Sequence, residues 1–93
     1  MNKYEIMFIV RPNIDEEATT KVVKYFEEVL TKNGAKVEET VDYGKRELAY
    51  EIEDFKQGHY FYFVAESNSE ANNEFTRLAG ISEDVIRFMI IKL

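Results

Sequence analysis

One histidine and no cysteine leave this 93-residue chain with few side chains suited to covalent or metal chemistry. His59 stands at the head of an aromatic run, with no second His or Cys to share a metal ion or complete a proton relay, so its expected role is packing or surface. The carboxylate pairs Glu16-Glu17, Glu27-Glu28 and Glu38-Glu39 are sequence neighbours, which diverge on a helix or a strand and do not converge on an ion. Gly44-Lys45 is followed by Arg46 rather than Ser or Thr, and Glu39 stands where a phosphate loop needs its first Gly. HExxH, CxxC, GxSxG and GxGxxG patterns are all missing. The aromatic run as a whole is superficially similar to the strand of an RNA-recognition motif, whose rings stack bases. Yet Gln57-Gly58-His59-Tyr60-Phe61-Tyr62-Phe63-Val64 lacks the basic residue before Gly and the small residue after the first aromatic. The residues themselves offer no recognisable motif for metal, cofactor or nucleophilic chemistry.

Charge says what such a protein could bind. The net charge of -6 argues against autonomous nucleic-acid binding, which needs a basic footprint on the phosphates. The distribution is uneven: residues 1–14 carry Lys3 and Arg11 against Glu5, and residues 85–93 carry Arg87 and Lys92 with no acid. If the two termini lie side by side, an acidic protein presents a local basic strip. A hydrophobic fraction of 45%, with seven Phe and six Tyr, is too core-rich for a disordered chain, and the length allows one domain, residues 1–93. The longest apolar runs, Ile6 to Val10 and Tyr60 to Ala65, are too short to span a bilayer, and Met1-Asn2-Lys3-Tyr4-Glu5 is no secretory signal. A cytoplasmic protein with no membrane role is expected.

The elements that must position these residues follow from periodicity. Tyr4, Ile6, Phe8 and Val10 alternate with Glu5, Met7, Ile9 and Arg11, which predicts a strand apolar on both sides. Asp15 can cap a helix over about residues 16 to 33, with Val22, Val23, Phe26, Val29 and Leu30 on one stripe. Extended chain returns from Ala35 to Ile52, with a bulge or hairpin at Gly44. Glu53 to Gly58 reads as a turn, and His59 to Ala65 as a central aromatic strand. Ser67-Asn68-Ser69-Glu70 supplies cap chemistry for a second helix, striped by Ala71, Phe75, Leu78 and Ala79 and ending at Gly80; Val85 to Leu93 completes a fourth strand.

The order βαββαβ is that of the ferredoxin-like α+β fold: a four-stranded antiparallel sheet ordered 4-1-3-2, with two helices on one face. Strands 1 and 4 then adjoin, bringing Lys3, Arg11, Arg87 and Lys92 together as the inferred strip. The charge-free sets, Phe8 with Val10 and Phe88 with Ile90, face the helices. The other face carries Met7, Ile9, Arg11, Tyr60, Tyr62, Val64, Arg87, Met89 and Ile91. Monomers seldom leave so apolar a surface in water, so Met7, Ile9, Tyr60, Tyr62 and Met89 are expected to meet a protein partner.

Three stretches carry a resemblance. Tyr4-Glu5-Ile6-Met7-Phe8-Ile9-Val10-Arg11-Pro12-Asn13, Gly44-Lys45-Arg46-Glu47-Leu48-Ala49-Tyr50-Glu51-Ile52 and Ile81-Ser82-Glu83-Asp84-Val85-Ile86-Arg87 resemble the bacterial small-subunit ribosomal protein six family, over nearly the whole chain. The second is the family's signature. Glu53 departs from the family's usual basic or small polar residue, and no charged tail follows Leu93. The resemblance implies a non-enzymatic ribosomal protein in the cytoplasm that binds small-subunit ribosomal RNA as a heterodimer with ribosomal protein eighteen. By position it implies RNA contacts at Lys3, Arg87 and Lys92, and secondarily at Lys45 and Arg46. A competing reading of the aromatic face is a ferredoxin-like dimer enclosing a small molecule, as a binding module or an enzyme. No convergent polar or titratable set supports it.

Overall fold

The computed structural model describes all residues, Met1–Leu93. Its elements run β1 (Asn2–Val10), α1 (Glu16–Lys32), β2 (Lys36–Ile52), β3 (Phe55–Ser67), α2 (Ser69–Ile81) and β4 (Val85–Lys92). The sheet is antiparallel in the order β2-β3-β1-β4, the expected arrangement.

Local chemistry fixes the helix ends. The Asp15 carboxylate accepts the Ala18 amide at 2.7 Å, and Glu16 and Glu17 occupy the first turn of α1, where the helix dipole favours negative charge. The side-chain oxygen of Asn68 caps α2 in the same way, accepting the Ala71 amide at 2.8 Å. Both helices lie on one face of the sheet, and the core between them is aromatic. Phe8 is fully buried, and its ring centroid lies 5.2–6.1 Å from those of Phe26, Phe61, Phe63 and Phe75. Ile6, Val10, Leu30, Ala71 and Ala79 fill in around them. Phe88 and Ile90 of β4 pack at the margin, so the charge-free sets do face the helices.

The β2–β3 hairpin differs from its expected form. The turn is only Glu53-Asp54, both at positive φ (50° and 69°), and Phe55 to Gly58, expected as part of the turn, continue the strand. Two successive left-handed residues match the right-handed twist of the flanking strands, which is why such a tight connection closes the hairpin. Gly44 does mark an irregularity: the register jumps between Asp42 and Gly44, and Gly44 takes φ 80°, a conformation open to glycine. A larger jump lies near the turn. Glu47 pairs with Gln57 and Ile52 with Phe55, so Leu48, Ala49, Tyr50 and Glu51 all stand opposite the single residue Lys56. This looped-out strap leans over the sheet face that the helices leave uncovered.

Candidate functional site

Strand pairing sorts the open face into rows, because residues opposite one another share a side of the sheet. One row is anionic: Ile91, Glu5, Val64 and Glu39 across β4, β1, β3 and β2. The next is apolar and aromatic: Met89, Met7, Tyr62 and Val41. The third holds Arg87, Ile9, Tyr60 and Gly44. Met89 and Ile91 are nearly half exposed, whereas Met7, Tyr60, Tyr62 and Val64 are half-buried. Tyr62 is fixed by Tyr43, with hydroxyls 3.1 Å apart and ring centroids at 4.9 Å. That hydrogen bond above all, with the nearby carboxylates of Glu5 and Glu39, pushes the Tyr62 hydroxyl up to about 12.

Ile9, expected on the partner face, lies on that side but is only 3% exposed. The strap end of the hairpin covers it: a Cβ on Gly58 would collide with Ile9 Cγ2 and would sit 3.6 Å from Leu48. Gly58 is therefore a close-approach glycine inside a strand rather than the turn residue it resembles in sequence. At the far edge, Arg87 Nη1 donates to the Tyr50 hydroxyl at 2.8 Å, with the guanidinium carbon 5.8 Å from the ring centroid. With a nitrogen so close to the oxygen, the guanidinium at that distance lies beyond the hydroxyl edge rather than over the ring. The strap thus reaches from β2 across β3 and β1 to β4, about 14 Å at the spacing of neighbouring strands.

The cations do not form one strip. Lys3 is on the open face at the anionic end, 3.1 Å from Glu38. Lys92 pairs with Tyr4, whose side chain packs on the core, so Lys92 lies on the helix side, and Lys3 and Lys92 occupy opposite faces. Arg11 lies eight residues along β1 from Lys3, about 26 Å away, held by Asp84 at 2.9 Å and Asn13 at 3.1 Å. What the fold does gather is Arg87 and Arg46 on the open face at the strap end, with Lys45 on the helix side at the same end. Arg46 Nε donates to the Tyr43 carbonyl at 3.1 Å.

Sequence reasoning passed over one pair. His59 Nε2 lies 2.7 Å from the Asp42 carboxylate, and its ring stacks on Phe61 at 4.3 Å. Burial on its own would raise the Asp42 carboxyl, but the hydrogen bond to His59, the Gly44 amide and the His59 charge outweigh it, so the carboxyl lies below its ordinary 3.8. The pair clamps β2 to β3 beside the Gly44 bulge. No group of three or more His, Asp and Glu side chains is placed to hold a metal ion, and no helix is long and apolar enough to cross a membrane.

Comparison with known proteins agrees with this architecture. The crystal structure of 30S ribosomal protein S6 from Thermotoga maritima superposes with a TM-score of 0.91 at 24% identity, over 99% of this chain and 87% of that one, a likeness of fold. The family model described as Ribosomal protein S6 matches residues 3–92. The βαββαβ sheet with its uncovered face, the strap built from the Gly44-to-Ile52 signature and this match over nearly every residue agree: the chain belongs to the ribosomal protein S6 family and is a protein of the small ribosomal subunit.

Proposed function

We propose that this protein is a structural, non-enzymatic component of the cytoplasmic small subunit that binds small-subunit ribosomal RNA as a heterodimer with ribosomal protein eighteen. The observation that carries the reading is the row Met89, Met7, Tyr62 and Val41 lying open beside the row that bears Glu5 and Glu39. Two helices cover only one side of a four-stranded sheet, and apolar side chains on the other side favour burial by a partner. The acidic flank selects a basic one, since complementary charge steers encounter and disfavours wrong partners. Aromatic residues and Met are enriched at the centres of such interfaces, which commonly bury about 800 Å² per partner.

The same arrangement supports RNA binding by the pair rather than by this chain alone. With a net charge of -6, isolated protein should bind RNA weakly and lose affinity steeply with salt. A basic partner on the open face supplies phosphate contacts, and Arg87, Arg46 and Lys45 add a few from the strap end. Lys3, neutralised by Glu38, and Lys92 on the opposite face are the weaker members of the expected set.

Titration calorimetry of this chain against purified ribosomal protein eighteen tests the reading. Met89→Asp and Tyr62→Ala should each weaken pairing by about 1–3 kcal/mol while thermal unfolding changes little. Unaltered pairing in both variants would move the partner to another surface, such as the free edge of β2.

A further inference from the structure

The strap does more geometric work than closing a hairpin requires. Looping out Leu48 to Glu51 against one residue abandons strand pairing, and the result is a tyrosine ring carried across the sheet and held there. Tyr50 is 62% exposed, yet its hydroxyl is fixed by Arg87, so the ring is presented in one orientation rather than left mobile. Arg87 sits off the hydroxyl edge, and the faces of the ring are not taken by it. Beside the ring is an open slot of about 210 Å³ floored by Met7, Ile9 and Tyr60 and walled by Leu48 and Ile52.

Arg87 keeps most of its donors free. Unlike Arg11 and Arg77, and like Arg46 at the same end of the face, it has no carboxylate within ion-pair distance. One of its five N–H donors is used on Tyr50, leaving the others to meet an anion or a base edge.

We propose that Tyr50 is a stacking platform for one unpaired nucleobase, with Arg87 positioning the ring and contacting the adjoining base edge or phosphate. The RNA met at the strap end is then a loop, bulge or junction rather than uniform duplex. This rests on the RNA-binding reading above. A flat, apolar slot beside a fixed aromatic ring suits a base, because stacking contributes substantially per base and tolerates any base, and only unpaired bases can be splayed out to reach such a ring. Arg87 and Arg46 offer donors at this end of the face that an apolar peptide would leave unpaired, while Glu47 and Glu51, which line a neighbouring pocket with Tyr50, disfavour a run of phosphates, so one stacked base with one adjoining contact fits best. A pre-fixed ring also loses little freedom on binding.

The test uses the full chain, alone and with ribosomal protein eighteen, at low salt. A single-stranded oligoadenylate of about eight nucleotides is compared with a duplex of the same length. The expected results are upfield movement of the Tyr50 ring resonances with the single strand only, and about tenfold or greater loss of single-strand affinity in Tyr50→Ala. Tyr50→Phe should lose less, because the ring survives while its link to Arg87 does not. Circular dichroism of each variant establishes that the fold is kept. Equal response to single strand and duplex overturns the proposal. If Arg46→Glu weakens single-strand binding while Tyr50→Ala does not, RNA binding stands and the stacking platform falls. Movement of the Tyr50 signals with the partner protein and not with RNA makes the slot a protein contact, which also overturns it. Binding of neither RNA, with or without the partner, removes the platform and the RNA-binding reading together.

Discussion

Replacing Phe8 with Ala tests which face of the sheet is the core. Phe8 is fully buried at the middle of β1, and four other Phe rings lie within 6.1 Å of its centroid. Those rings come from α1, β3 and α2, so they cannot close over the gap without moving two layers at once. The loss should therefore fall toward the upper part of the 3–5 kcal/mol range for a buried Phe→Ala change. A domain of this length has roughly 5–14 kcal/mol of stability in all, so much of it would go. At about 4–8 °C per kcal/mol, the midpoint should drop by about 15 °C or more. Tyr62→Ala, on the opposite face of the neighbouring strand, removes a half-buried ring and a solvent-exposed hydroxyl contact with Tyr43, and about 1 kcal/mol or less is expected. Urea unfolding followed by far-UV circular dichroism measures both. Equal destabilisation by the two substitutions would refute the assignment of faces.

Three further perturbations probe other parts of the account. Gly58→Ala drives a methyl into Ile9 under the strap and should cost about 1–3 kcal/mol in urea unfolding, although Gly58 has ordinary backbone angles that alanine would accept. Asp15→Ala removes the cap of α1 and should cost about 1 kcal/mol by the same measurement. Asp42 has a folded pKa below its ordinary 3.8, so its contribution is present above that value and is lost as pH falls through the folded value. Asp42→Asn should thus lower the urea midpoint at about pH 5, and the gap from the parent protein should shrink toward about pH 3. The carboxylate is 58% exposed, so the effect should be small.

Much of the fold was legible in the sequence because strands 1, 3 and 4 are short apolar runs rich in aromatic and β-branched residues and bounded by turn or cap residues, and both helices carry cap residues at their starts. The strap was not. Tyr50 and Arg87 are 37 residues apart, and no local pattern announces a contact between two strands separated by two others. Its consequence, the burial of Ile9, was hidden with it. Gly58 misled for a related reason: a glycine after Lys56-Gln57 looks like a turn, and only the packing of Ile9 against it reveals why a side chain is excluded. Glu53-Asp54 lacks the glycine that ordinarily signals a turn with two positive φ values, so in sequence the connection reads as running on to Gly58. The basic strip failed on parity and distance. Lys92 pairs with Tyr4, which puts it on the other face from Lys3, and Arg11 lies at the far end of β1. The Asp42–His59 clamp crosses strands through a register that the Gly44 bulge shifts, beyond the reach of residue spacing.

The central claim is that this chain works as part of a small-subunit assembly through its open sheet face. The most direct measurement is cosedimentation of the tagged protein with small ribosomal subunits washed in moderate salt, with Met89→Asp run in parallel. The account predicts that the parent protein stays with the washed subunits at near one copy per particle and that Met89→Asp is depleted from them while remaining folded. Absence of the parent protein from washed subunits, or equal retention of the variant, would contradict it.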